Sequence, residues 1–364
     1  MTGIKKALIC PMDWGIGHAT RCVPVIEKLR DLGFEMIIAA SGRPMEFLKK
    51  EYPWIPVVSF PGLKIRYPGD NWFTIKVLLL APKLLIAIWR EHQALKKIVL
   101  QTNPSVVISD NRYGCWHRSI PSVFITHELE IQVPSGNPII KRIINRINRK
   151  LIKKFTECWV PDFEPHHGLA GNLSHPSILP EKIHYIGILS RFSTSADIHP
   201  EISVQSYDLL VMLSGPEPQR TLIEEKILMQ LMSINIQVAL VRGITESDEA
   251  YVLDGRIHMF SHLQTAKLKA LIAASDLVIA RSGYSTIMDI ATLGKRAIFI
   301  PTPGQSEQEY LAHYLMDKKI YFAISQENFD MFYAIEMSKN FPGMVLRNDY
   351  EVLSERINAL KLIS

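Results

Sequence analysis

Cysteine is scarce in this sequence. There are four in 364 residues, Cys10, Cys22, Cys115 and Cys158, with no Cys-x-x-Cys pair and no shared histidine spacing. That excludes a recognisable structural zinc site and a disulfide framework, and it predicts a reduced, cytoplasmic protein. A strong charge of either sign is also missing. The 41 Lys and Arg against 36 Asp and Glu leave a formal net charge of +5, too weak to argue for nucleic acid as a partner. Long hydrophobic runs are absent too. The most apolar stretch, Val77–Trp89, is broken by Pro82 and Lys83 and is too short to span a bilayer. The short apolar run up to Cys10 leads straight into a glycine-rich loop and reads as a first strand rather than a secretory leader.

What is present is a repeated alternation. Continuous apolar runs at Lys6–Met12, Phe34–Ser41, Val57–Phe60, Ser105–Asp110, Pro121–His127 and Cys158–Pro161 read as buried strands, with helical patterns such as Ala19–Leu32 and Ile75–Leu100 between them. The alternation pauses at Ser193–Ser206, rich in Ser, Thr, His and Pro, and resumes with strands at Asp208–Ser214, Ile236–Val241, Arg256–Phe260, Asp276–Ala280 and Arg296–Pro301. Helices are expected at Gln219–Ser233, Gln264–Ala274, Tyr284–Leu293 and Glu307–Asp317. The fold class is therefore α/β, with two Rossmann-like, doubly wound parallel-sheet domains and a ligand cleft between them. The expected limits are residues 1–192, a linker at 193–206, residues 207–346, and a C-terminal helix in 347–364 packing back on the first domain.

In such sheets chemistry sits on loops after strands. The first loop, Asp13-Trp14-Gly15-Ile16-Gly17-His18-Ala19-Thr20-Arg21, opens a helix, with an imidazole in it suited to general base work near neutral pH. A dinucleotide fingerprint would want a third glycine and an acidic residue after the second strand, where Ser41-Gly42-Arg43 stands, so NAD is disfavoured. The loop Ser214-Gly215-Pro216-Glu217 holds the equivalent place after the first strand of the second half. The strongest is Arg281-Ser282-Gly283-Tyr284-Ser285-Thr286, where small hydroxyl residues and helix-end amides form a diphosphate cradle. Asp289 follows about 9 Å along the helix, an offset that suits a carboxylate bonding a ribose diol. A Pro- and Gly-rich turn then leads to Gln308 and Glu309, which could meet sugar hydroxyls.

In this order and spacing, the last two loops resemble the donor half of GT-B glycosyltransferases. They are most similar to glycosyltransferase family 28, which includes the N-acetylglucosaminyltransferase that makes lipid II. The resemblance implies a UDP-sugar donor as substrate and no cofactor. It implies phosphate binding by Ser282, Gly283, Ser285 and Thr286, ribose binding by Asp289, and sugar contacts from Gln308 and Glu309. Leu263, in Phe260-Ser261-His262-Leu263, is similar to the contact for the uracil edge, and Arg191 to a family arginine near the base or diphosphate. Ser214 and Gly215 match the glycine-rich loop. On the acceptor side Gly15-Ile16-Gly17-His18 resembles the family loop, implying that Gly17 and His18 line the site, and His127-Glu128 resembles a His-Glu pair, implying that Glu128 assists His18 or binds acceptor. Asp289 departs from the family's usual Glu, and Glu309 from its usual Gln. Asp-x-Asp, the metal clamp of the other glycosyltransferase fold, does not occur, so no metal is expected. The reaction implied is inverting transfer to an acceptor hydroxyl.

Ile139–Phe155 has helical period, with an isoleucine face and a strongly basic face. One reading is docking at an anionic membrane surface, suiting a lipid-linked glycan as acceptor and a place at the inner face of the membrane in cell-envelope synthesis. The other is a helix that packs its isoleucines in the core and solvates its charges. Two further activities remain open. Gly15, Gly17, His18 and Arg21 also resemble the opening of UDP-sugar hydrolases of the pseudaminic acid pathway, and a non-catalytic nucleotide-sugar-binding subunit would need the donor loops alone.

Overall fold

The structure is a computed structural model that describes residues 5–62, 73–133, 137–164, 168–193, 205–347 and 350–360, with backbone alone at 73–81. The chain divides into two compact units, Met1–Leu189 with Asn348–Ser364, and Ser190–Arg347. Most of the segment read as a linker, 194–204, lies outside the described residues.

In the first unit the strands are β1 (Lys6–Pro11), β2 (Glu35–Ala40), β3 (Val57–Ser59), β4 (Val106–Asp110), β5 (Ser122–Ile125), β6 (Glu157–Val160) and β7 (Ile183–Tyr185). Helices α1 (Gly17–Asp31), α2 (Gly42–Glu51), α3 (Phe73–Thr102) and α4 (Pro138–Ile152) connect them. The sheet runs β3-β2-β1-β4-β5-β6-β7, all parallel. Both faces are covered, which is why the strands read as unbroken apolar runs. On one face Ala7, Ile9, Ile108 and Ile125 pack against α1 and α2. Leu8, Cys10 and Val107 pack on the other against Leu95, Ile98 and Val99 of α3, while Phe124 and Cys158 take Ile152 of α4. The last helix, α10 (Glu351–Ala359), joins the first face through Leu353 and Ile357, with Leu360 at its C-cap. Arg356 bonds Glu157 on β6.

The second unit repeats the plan. Its strands are β8 (Tyr207–Met212), β9 (Val238–Val241), β10 (Ala250–Leu253), β11 (Ile257–Phe260), β12 (Ser275–Ala280), β13 (Arg296–Phe299) and β14 (Phe322–Ala323), with helices α5 (Gln219–Leu231), α6 (Thr265–Ala273), α7 (Tyr284–Thr292), α8 (Ser306–Asp317) and α9 (Met331–Ser338). The order is β10-β11-β9-β8-β12-β13-β14, parallel except for the β10–β11 hairpin. Register aligns Phe260 with Val241, Val241 with Met212, Met212 with Ala280 and Ala280 with Phe299. The loops that follow these residues therefore leave from one edge. The strand order reverses at β8, between β9 and β12, which is where such sheets bind ligands. Among the described residues no helix is long and apolar enough to cross a membrane.

Candidate functional site

Pairing of Pro11 with Asp110 and of Asp110 with Ile125 puts three chain segments level at the carboxyl edge of the first sheet. Gly15, with φ of +73°, turns the chain between β1 and α1 in a conformation few other residues adopt. His18 and Arg21 then lie one turn apart on α1. His18 Nδ1 is 2.6 Å from Asp110 Oδ1. Arg21 donates from Nε to Asp110 Oδ2 at 3.1 Å and from Nη2 to Oδ1 at 2.7 Å, and its Nη1 lies 3.0 Å from His127 Nδ1. Arg21 Nη2 is also 2.6 Å from His18 Nδ1. Both contacts of Nδ1 cannot be hydrogen bonds. A proton on Nδ1 makes the bond to Asp110 and a lone pair there makes the bond from Arg21, so the tautomer decides between them. Burial pushes the Asp110 carboxyl up, but Arg21 and His18 outweigh it and hold it below the ordinary carboxylate range. His18 Nε2 has no protein hydrogen-bond partner among the described residues, and the side chain is 15% exposed.

Asp110, rather than Glu128, is the carboxylate that meets His18. Glu128 is held through its backbone, its N–H donating to Thr126 Oγ1 and its carbonyl accepting from Asn148 Nδ2. Sequence reasoning had passed over Asp110; the signal was an acidic residue closing an apolar strand. Beneath this cluster the fully buried Arg112 donates to the carbonyls of Pro11 (2.6 Å) and Pro61 (2.7 Å) and to Glu91 Oε1 (2.9 Å), tying two loops to α3. Burial raises Glu91, against the pull of Arg112.

Helix α4 packs Ile152 in the core and leaves other isoleucines outside it. Ile139, Ile143 and Ile147 are 65%, 54% and 48% exposed, alongside exposed Arg142, Arg146 and Lys150. The buried side carries Asn145 and Asn148. Their amides bond the backbone of the 128–131 loop: Asn145 accepts from Ile131 N–H and donates to its carbonyl, and Asn148 donates to those of Glu128 and Leu129. Leu85, Ile86 and Trp89 of α3, on the same side of the sheet, are exposed too.

In the second unit Gly215, with φ of +105°, follows β8 beside Thr302, whose hydroxyl would lie 3.4 Å from an added Cβ. Gly283 caps α7 without a side chain, and Ser285 and Thr286 are partly exposed on its first turn. Ser282 is buried, its hydroxyl donating to the Gln308 carbonyl at 2.8 Å. Gln308 and Glu309 fold onto their own loop: Gln308 Oε1 accepts from Thr302 N–H at 2.8 Å and Glu309 Oε1 from Gly304 N–H at 2.9 Å. Leu263 is half-buried after β11. The arginine of the cradle motif is internal. Arg281 bonds the carbonyls of Ile300, Pro301 and Gln219, and burial pulls it down to about 10.

Asp289 is 3% exposed and accepts from Ser190 Oγ at 2.7 Å and Arg191 Nε at 3.1 Å. Burial raises its carboxyl despite Arg191 and Ser190. The sequence offset suggested a carboxylate presented to ribose; in the structure these two residues occupy both of its oxygens. The same bonds tie Ser190 and Arg191 to the second unit, whose boundary falls after Leu189 rather than after residue 192.

Residues 220–336 match the glycosyltransferase family 28 C-terminal domain, and residues 12–125 match a glycosyl transferase family 1 model. The protein is a GT-B glycosyltransferase resembling family 28. An uncharacterized glycosyltransferase of Methanosarcina acetivorans is 25% identical over 326 residues, 84% of this chain and 81% of its own length. The UDP-N-acetylglucosamine--N-acetylmuramyl-(pentapeptide) pyrophosphoryl-undecaprenol N-acetylglucosamine transferase of Methylobacterium nodulans is 23% identical over 82% of this chain and 77% of its own. The crystal structure of Acinetobacter baumannii MurG superposes with a TM-score of 0.52 at 13% identity, over 96% of this chain and 92% of that one. In this glycosyltransferase the first matched stretch contains His18, Arg21, Asp110 and Arg112, and the second the loops after β9, β11, β12 and β13.

Proposed function

We propose that this glycosyltransferase moves a hexosyl or N-acetylhexosaminyl group from a UDP-sugar to an acceptor hydroxyl, with inversion and without a metal. The observation that carries the reading is the His18–Asp110 pair at 2.6 Å. His18 takes the acceptor proton on Nε2, and Asp110 orients the ring and stabilises the imidazolium that forms. The acceptor oxygen bonds to the anomeric carbon as the carbon–phosphate oxygen bond breaks and its electron pair leaves with UDP. Amides and hydroxyls at the start of α7 (Gly283, Ser285, Thr286) and the Ser214-Gly215 turn meet the diphosphate charge as fixed donors. That chemistry, with the lack of Asp-x-Asp in the sequence, supports a metal-free route. Leu263 supplies the base contact, and Gln308 and Glu309 reach the sugar once released from their loop. Asp289 acts on the donor indirectly, through Arg191. The UDP-N-acetylglucosamine relative supports the donor class.

The exposed isoleucines of α4, flanked by arginine and lysine, support peripheral contact with an anionic membrane and so a lipid-linked acceptor at its inner face. The test is purified protein with a panel of UDP-sugars, with and without membrane lipid extract. UDP release that needs extract is expected, and His18→Ala should abolish it while UDP still binds. Release in water alone would make the protein a hydrolase, and UDP binding without turnover in any mixture a binding subunit.

A further inference from the structure

Arg21 is 2% exposed, and its guanidinium touches three groups of the first unit's edge cluster at once. A guanidinium only donates. His127 Nδ1, 3.0 Å from Arg21 Nη1, must therefore present a lone pair and carry its proton on Nε2. His18 Nδ1 lies 2.6 Å from both Asp110 Oδ1 and Arg21 Nη2; only a proton on Nδ1, donated to the carboxylate, leaves Nε2 with the lone pair that the base reading requires. The two imidazoles are opposite tautomers, and Arg21 stands between them. The fork also fills both oxygens of Asp110, so the buried carboxylate is neutralised before any proton is taken up.

We infer that Arg21 is the positioning residue that sets the proton arrangement of the cluster: Nε2 of His18 empty as a base, Nδ1 of His127 empty as an acceptor, Asp110 ionised. This rests on the reading of His18 as the base. Without the guanidinium, Asp110 would lose two hydrogen bonds and a countercharge, which shifts the balance toward a proton held by His18 before the acceptor arrives. His127 would lose the donor that selects its tautomer.

Nitrogen-15 NMR of the imidazole rings in the wild-type protein, assigned with His127→Gln and His18→Gln, reads the tautomers without altering Arg21. The expected result is His127 protonated at Nε2 and His18 at Nδ1. A proton on His127 Nδ1 overturns the inference while leaving the base reading intact. Arg21→Met keeps apolar bulk and removes the charge. It should lower kcat by about 100-fold or more, leave KM for the UDP-sugar within about twofold, and show His18 protonated in the same spectra; Arg21→Lys should recover part of the loss. Full kcat in a folded Arg21→Met, judged by unchanged UDP affinity, sinks the positioning role. Full activity in His18→Ala sinks the base reading beneath it.

Discussion

Two buried aspartates of this glycosyltransferase sit against arginines, and their protonation is driven in opposite directions. Asp110 is held below the ordinary value of 3.8 and Asp289 above it. A carboxyl depressed in the fold contributes stability above its unfolded value and loses it as pH falls through the folded value. A raised one does the reverse, favouring the folded state least once pH has climbed past its folded value. Urea unfolding measured from roughly pH 3 to pH 7 against matched Asn variants should therefore show opposite slopes. The wild-type advantage over Asp110→Asn shrinks on acidification below 3.8, and the advantage over Asp289→Asn shrinks as pH rises from 3.8. Parallel slopes would refute the assignment. A second expectation concerns Asp289→Ala, which leaves Arg191 buried without its charge partner and should cost about 3–5 kcal/mol of stability. A simple ribose ligand would instead lower UDP affinity and leave the melting temperature alone. At this scale the sequence was half legible. His18 and Arg21 announce themselves in one loop, whereas Asp110, 92 residues from His18, is joined to it only by the β1–β4 register. Asp289 stood in the expected helix, but nothing local says that Ser190 and Arg191 will cover it.

Among the elements, buried parallel strands were the most readable, because apolar residues on both faces leave no ambiguity of period. Strand β10 was missed although Asp254-Gly255 precedes β11, both at positive φ, +54° and +67°, as a tight hairpin turn requires. The hairpin is an edge with exposed Tyr251 and Val252, so its strand shows no buried run. Edge strand β7 has no buried residue either, and β14 is only two residues long. Periodicity located α4 but could not say which way it faced, since the decision rests with Asn145 and Asn148 and the loop carbonyls they meet. Asn145→Ala should destabilise the protein by about 1–3 kcal/mol through the unpaired Ile131 amide and carbonyl, read by thermal unfolding. On the outer side, Arg142→Gln with Arg146→Gln should weaken sedimentation with phosphatidylglycerol vesicles by about 1 kcal/mol per charge, with no effect on phosphatidylcholine. Equal binding of wild type and variant to both vesicles would exclude an electrostatic dock.

For the molecule as a whole, the doubled strand–helix alternation exposed two Rossmann-like units, and their loops carried the resemblance to glycosyltransferases. What lay beyond the sequence was the way distant segments complete each unit. Three side chains of α10 and its C-cap, Leu353, Ile357 and Leu360, are at most 6% exposed on the first unit. Each contributes about 1.5–3 kcal/mol by burial. A chain ending at residue 347 should therefore lose stability in its first unit selectively, with hydrogen exchange rising across α1 and β2 while β8 and β12 stay protected. Uniform loss would mean that the units do not unfold separately.

That arrangement has a consequence for biosynthesis. As the chain leaves the ribosome, the segment up to Leu189 emerges with the surface beside α1 still bare, because the residues that cover it are translated after the whole second unit. The amino-terminal half, though made first, is finished second. Until α10 emerges, its uncovered apolar strip is a site where chaperones would bind and where neighbouring nascent chains could stick.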